Sequence, residues 1–144
     1  PTTVPQVEDE VNHLIQKIQG REGISDTNLA EAFRIQHQCQ TEIRPQPLEE
    51  AYAAAGTTLR GTTAIADYVA TLGDDSLIET PALVLRGEHD FVTPPCIQGW
   101  KDLFQSATMV ELPACAHHGL LERPDEYGKT LESFWQAQEQ SALV

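Results

Sequence analysis

Two short apolar runs limit what this chain can fold into. They are "ALVL", Ala82 to Leu85, and "ATMVELP", Ala107 to Pro113, and no other segment reads as a strand. The first is a continuous apolar run between turn signals, the pattern of a strand buried on both faces. Between the two, Thr93 and Pro94 read as the N-cap and first residue of a helix that buries Trp100, Leu103 and Phe104. After the second, Pro124 opens a helix with Tyr127, Leu131, Phe134 and Trp135 on one face, and Trp100 and Trp135 are both expected in the core. Strand, helix, strand in this order implies a parallel pair. Two parallel strands do not form an independently stable sheet, because a free edge leaves backbone donors and acceptors unpaired. Neighbouring strands must come from elsewhere.

The first half of the chain does not supply them. Val7, Val11, Leu14, Ile15 and Ile18 recur at helical spacing until Gly20 and Gly23 end the pattern. A second helix is expected over Leu29 to Gln40, with Ala30, Phe33 and His37 on one face and Asp26 or Thr27 as N-cap. "RPQPLEEAYAAAG" predicts a short helix closed by a glycine, and "GTTAIADYVATLG" a further one through Ile65, Tyr68, Val69 and Leu72. Residues 1–73 are thus helical, and residues 74–144 carry the strands.

Composition narrows the partners. A hydrophobic content of 40% over 144 residues suits a packed protein. A net charge of −13 argues against nucleic acid or an anionic membrane as partner. The amino end "PTTVPQVEDEV" lacks the order of a secretory signal, and no apolar run is long enough to span a bilayer. A soluble, cytoplasmic protein is expected. Cys39, Cys96 and Cys115 have no metal-type spacing and are expected as free, reduced thiols.

Chemistry gathers after the two strands. Asp90 follows the first by a few residues, and His117 and His118 follow the second. On neighbouring parallel strands both positions lie at the carboxyl edge of the sheet, where functional groups collect. An Asp and a His so placed can meet, the carboxylate accepting from one ring nitrogen and leaving the other as a base.

These residues carry a resemblance. "TPALVLRGEHDFVTP" and "MVELPACAHHGLLERPDEY" resemble the acid loop, the last strand, the histidine loop and the final helix of an α/β-hydrolase of the proline iminopeptidase-like branch. About 60 residues, Thr80 to Trp135, are covered well. The resemblance implies an α/β fold class: the last two parallel strands and flanking helices of an α/β-hydrolase, preceded by a helical cap over residues 1–73. It implies Asp90 as triad acid and His117 as catalytic base, the choice over His118 resting on alignment to the family pattern. Where the family usually has glycines before the histidine, this chain has Ala114 and Ala116, so the backbone there must accept a Cβ.

The triad's serine is missing. The nucleophile elbow needs G-x-S-x-G on a strand-to-helix turn, and the nearest approach, Ser25 in "GISDT", has Thr27 in place of the second glycine and no strand before it. Ser25 is rejected, and the oxyanion hole is absent with it. Missing strands and missing nucleophile together point to a companion N-terminal chain that carries both. The break is expected inside or just before the cap, with Pro1 an end created by cleavage.

Other readings of the same residues are weaker. Cys115, two residues from His117, has no positioned donors around it and reads as a buried structural thiol. Asp90, Cys96, Cys115, His117 and His118 match no zinc framework, so no metal and no cofactor are expected. His89 reads as a solvent-facing loop residue. The acids Glu8, Asp9, Glu10, Glu22, Glu31, Glu42, Glu49 and Glu50 form a solvated face, although cap acids in the resembled branch pair with a substrate's amino group. With the companion chain in place, the resemblance implies a serine hydrolase cleaving an amide or ester in a small-molecule or peptide substrate, aminopeptidase-like on a free amino-terminal residue. The alternatives are an esterase or lactonase of the same fold, or a fragment that only binds a partner.

Overall fold

The computed structural model describes residues 4–22, 26–55 and 77–141. The expected helix over 61–73 and the rejected Ser25 lie outside the described residues.

The amino-terminal part is helical as expected. Helix α1 (Val4–Glu22) turns Ile18 fully inward and leaves Val11, Leu14 and Ile15 half-buried. Helix α2 (Asp26–Phe33) runs into a single π-helical turn, Arg34–Gln38, closed by the Cys39 N–H donating to the Arg34 carbonyl at 2.8 Å. Phe33 and His37 stay half-buried on one face as the spacing predicts, but Ala30 is exposed and Arg34, at 7% exposure, is carried inward. A buried guanidinium needs partners. Arg34 finds a two-oxygen clamp on Glu31, at 2.9 and 2.6 Å, and the Cys39 carbonyl at 3.4 Å. Helix α3 (Gln46–Ala55) buries Leu48 and exposes its alanine face.

The second part alternates as the sequence predicts: β1 (Ala82–Gly87), α4 (Pro94–Leu103), β2 (Ala107–Leu112), then a single turn α5 (Gly119–Glu122) and the long α6 (Pro124–Ser141). The strands are parallel and in register from Ala82↔Ala107 to Gly87↔Leu112. Among the described residues they form a two-stranded sheet. An isolated bridge between Ile78 and Phe104 extends the pairing below the sheet, with bonds of 2.9 Å in both directions. Thr93 precedes α4 with Pro94 in its first turn, but the threonine side chain makes no capping bond; Cys96 is the residue that α4 buries most deeply.

Two expectations about burial fail. Leu83, Val84 and Leu85 are half-buried within this chain, and only the end of β1, Arg86 and Gly87, is closed off. On α6 the expected face splits: Tyr127 and Phe134 are half-buried, whereas Leu131 is 43% and Trp135 69% exposed. A two-stranded sheet is too narrow to cover the whole apolar stripe of an eighteen-residue helix, and the residues that overhang it face solvent. No helix among the described residues is long and apolar enough to cross a membrane.

The strands end where the register matters most. A Cβ on Gly87 would lie 2.1 Å from the Ala116 carbonyl oxygen and 2.5 Å from that of Cys115. Gly87→Ala is therefore expected to push the segment after β2 off the end of β1 and to cost about 1–3 kcal/mol, read as a lower urea midpoint with an unchanged slope. The matched control Gly128→Ala, in α6 where nothing lies within 4 Å of an added Cβ, is expected to hold or raise the midpoint.

Candidate active site

The acid loop starts at the end of β1. The Asp90 N–H donates to the Gly87 carbonyl at 3.2 Å, and Asp90 Oδ1 accepts from the Val92 N–H at 2.8 Å, a turn that aspartate forms with the backbone two residues on. From below, Arg86 holds this loop shut. Its Nε donates to the Val92 carbonyl and its Nη2 to the Glu88 carbonyl, both at 3.2 Å, while Nη1 pairs with Glu111 on the adjacent strand. Asp90 is left 7% exposed with its carboxylate at the sheet edge.

The histidine loop starts at the end of β2 and is stitched to the acid loop. Glu88 N–H donates to the Leu112 carbonyl at 2.9 Å, His89 N–H to the Cys115 carbonyl at 3.0 Å, and Ala114 N–H to Glu88 Oε2 at 2.9 Å. Ala114 has a φ of 50°, so the alanine standing at the family's glycine place takes the left-handed conformation that favours glycine. Ala116 at the second place is fully buried.

These loops bring Asp90 and His117 together. His117 Nδ1 lies 3.0 Å from Asp90 Oδ1. An ionised carboxylate only accepts, so the proton of this bond sits on Nδ1 and the neutral ring keeps a lone pair on Nε2. The His117 side chain is 38% exposed and forms no other hydrogen bond among the described residues. It lines a cavity of about 380 Å³ with Leu85, Gly87, Asp90, Gly119 and Tyr127. The arrangement can hold an imidazole in one tautomer, present its second nitrogen to a reacting group and support the positive charge that proton uptake would create.

His118 lines the same cavity, but it is His117 that makes the bond to Asp90. The His118 ring stands edge-on to that of His117 at 5.3 Å, and its backbone N–H donates to the Gln38 carbonyl at 3.2 Å. Burial first, and the neighbouring His117 second, push its pKa below the ordinary value. Cys115 is also unavailable for chemistry. It is fully buried, its Sγ points to the Leu112 carbonyl at 3.6 Å, and desolvation pushes its thiol up to about 11. The other cysteines, Cys39 and Cys96, are buried and in no disulfide. His89 is exposed at the loop surface beside Glu88. No three His, Cys, Asp or Glu side chains converge as a metal-binding group among the described residues.

The amino-terminal helices close over one side of the site. His37 Nδ1 lies 2.9 Å from the His89 carbonyl, so that nitrogen carries the proton and donates. Phe33 faces Phe91 at 6.2 Å, and Phe91 faces the His117 ring at 4.3 Å. The Gln40 N–H donates to Glu122 Oε2 at 2.7 Å. Sequence reasoning missed Arg86, Phe91 and Glu122. A lone arginine ending an apolar strand was a readable signal for the first; nothing local marks the other two. Among the acids assigned to a solvated face, Glu31 and Glu49 are exposed as expected and also pair with Arg34 and Arg44, and Arg34 keeps the Glu31 carboxyl below its ordinary value.

No family model matches the sequence, and no curated protein matches it. Among solved structures the chain is similar to the proline iminopeptidase of Mycobacterium smegmatis, at 22% identity and a TM-score of 0.72, over 99% of this chain and 56% of that one. It is also similar to VinJ, at 16% identity and a TM-score of 0.59, over 94% of this chain and 49% of that one. This likeness shows the fold: the chain has the architecture of the carboxyl-terminal part of an α/β-hydrolase and spans about half the length of the structures it matches.

Two solution properties follow from the site's electrostatics. Because burial holds His118 below its ordinary value of 6.5, the unfolded chain takes up that proton first as the pH falls. The stability it confers is complete above 6.5 and is lost as the pH drops through the folded-state value. Thermal midpoints from pH 8 to 5 should fall more steeply for the native protein than for His118→Gln. With its thiol near 11, Cys115 should resist iodoacetamide at pH 8 in the folded protein and react once it is unfolded in urea, as peptide mass mapping would read.

Proposed function

We propose that this chain is the acid-and-base half of a serine hydrolase that cleaves an amide or ester, with an aminopeptidase-like preference for substrates with a free amino-terminal residue. One observation carries the reading. A buried aspartate and a half-exposed histidine, from the ends of two adjacent parallel strands, meet at 3.0 Å with the second imidazole nitrogen left available. The likeness of nearly the whole chain to a proline iminopeptidase supports the reaction class.

The nucleophilic serine and the oxyanion hole belong, in this reading, to a companion N-terminal chain, because no G-x-S-x-G occurs here and the chain spans 56% of its neighbour's length. His117 Nε2 takes the serine proton during attack and returns it to the leaving amine or alcohol. Asp90 holds the tautomer and stabilises the imidazolium formed between the two steps. Residues 1–73 act as a cap, and residues 74–144 complete the hydrolase core. The contacts of Phe33, His37 and Gln40 with the two loops support that division. The reading places the enzyme in the cytoplasm, consistent with three buried cysteines that form no disulfide.

The test uses the complete folded protein that contains this chain, with L-proline p-nitroanilide and p-nitrophenyl acetate as probe substrates and a fluorophosphonate as probe of the serine. Asp90→Asn and His117→Ala are each expected to lower kcat by about 10³–10⁴-fold with little change in stability. Near-native turnover by either variant would refute the assignment. Faster turnover of the ester with none of the anilide would favour the esterase reading over the aminopeptidase one, and absence of a fluorophosphonate-labelled chain would favour a fragment that only binds.

A further inference from the structure

Glu122 is the last residue of α5, five positions beyond His117, and its carboxylate ties three backbone N–H groups of the site together. Oε1 accepts from the Ala116 and His118 N–H groups, each at 3.1 Å. Oε2 accepts from the Gln40 N–H at 2.7 Å and shares the Ala116 N–H at 3.1 Å. The amides of Ala116 and His118 are those of the peptide groups next to the one that carries His117. Bonds to both fix the backbone on either side of the imidazole. Ala116 is fully buried, so its N–H has no water to turn to if the carboxylate leaves. A single helical turn such as α5 has little stability of its own and cannot hold the loop by secondary structure alone.

We propose that Glu122 is a positioning residue for His117. It sets the histidine loop so that Nδ1 meets Asp90, and through Gln40 it makes that setting depend on how the segment after the π turn is docked. This rests on the reading of His117 as the base. Chemistry separates the role from mere packing: a carboxylate offers two accepting oxygens, whereas the isosteric amide offers one oxygen and an NH₂ that cannot accept. Glu122→Gln therefore keeps volume and loses part of the bond set, along with its charge-assisted strength.

The test compares the native complete protein with Glu122→Gln. The kcat for L-proline p-nitroanilide is expected to fall about 10–100-fold, the loss that a misplacement near 1 Å produces, with KM within about twofold. In the same samples the low-field proton resonance of the His117–Asp90 bond should shift or broaden. A merely structural role predicts a lower melting temperature with kcat per folded molecule and the low-field resonance unchanged, and that result overturns the proposal. If Glu122→Gln does not fold, Glu122→Asp, which keeps the charge and shortens the reach, is read by the same two measures. The low-field resonance judges Glu122 even if turnover survives in His117→Ala, the result that would sink the functional reading instead.

Discussion

The carbonyl oxygens of Cys115 and Ala116 pass so close to the end of β1 that a Cβ on residue 87 would stand 2.5 and 2.1 Å from them, and the geometry of both loops follows from that approach. It lets the His89 N–H reach the Cys115 carbonyl and the Ala114 N–H reach Glu88, while Glu88 N–H continues the ladder onto Leu112. Each such bond contributes about 0.5–1.5 kcal/mol net. Against them stands the left-handed conformation of Ala114, which costs about 1–2 kcal/mol for a residue with a Cβ. The cross-loop bonds outweigh that cost, so an alanine is tolerated where a glycine would be easier. Among the glycines whose surroundings are described, 87 is the one where an added Cβ would fall within 3 Å of backbone, on the neighbouring strand end.

The site is also organised against the chain's overall charge. The protein carries a net charge of −13, yet the carboxylates nearest His117 are met by backbone N–H groups: Val92 on Asp90, Ala114 on Glu88, and Gln40, Ala116 and His118 on Glu122. Arg86 supports the acid loop through two carbonyls and directs its ion pair away, to Glu111. The groups that could compete with His117 are held quiet by burial, which disfavours the charged form of His118 and the thiolate of Cys115. Geometry and desolvation thus single out one imidazole from a neighbourhood that contains two histidines and a cysteine.

The strand pair, the helix between, the helix after and the first three helices were all legible, because each has a period, a cap residue or a breaker that acts within a few positions. The meeting of Asp90 and His117 at one sheet edge was legible for a topological reason, since parallel strands in register end on the same side. The burial of α6 was not. Periodicity identifies a stripe on a helix but not the width of the surface that receives it, and Trp135 overhangs a sheet of two strands. Nor was the burial of Arg34, because a guanidinium reads as solvent-facing and goes inward only where partners meet it, here the Glu31 carboxylate and the Cys39 carbonyl. Glu122 was hidden for a third reason: its partners are main-chain N–H groups, one of them 82 residues away, and backbone donors have no sequence signature.

What the chain leaves open to solvent bears on how it works. Leu83 to Leu85 are half-buried, and Leu77, Leu131 and Trp135 are more than two-fifths exposed. In the proposed reading these are the places where the nucleophile-bearing half packs. A fragment that only binds a partner would need the same faces covered, so apolar exposure does not separate the two. The Asp90–His117 pair favours the catalytic reading. Burying a carboxylate against a histidine is a poor source of stability, since the desolvation it requires offsets much of the attraction, and well-packed apolar residues serve packing as well or better. A pair held by a turn, an arginine clamp and a stitched second loop, with one imidazole nitrogen still available, is costly as packing and useful as a proton acceptor.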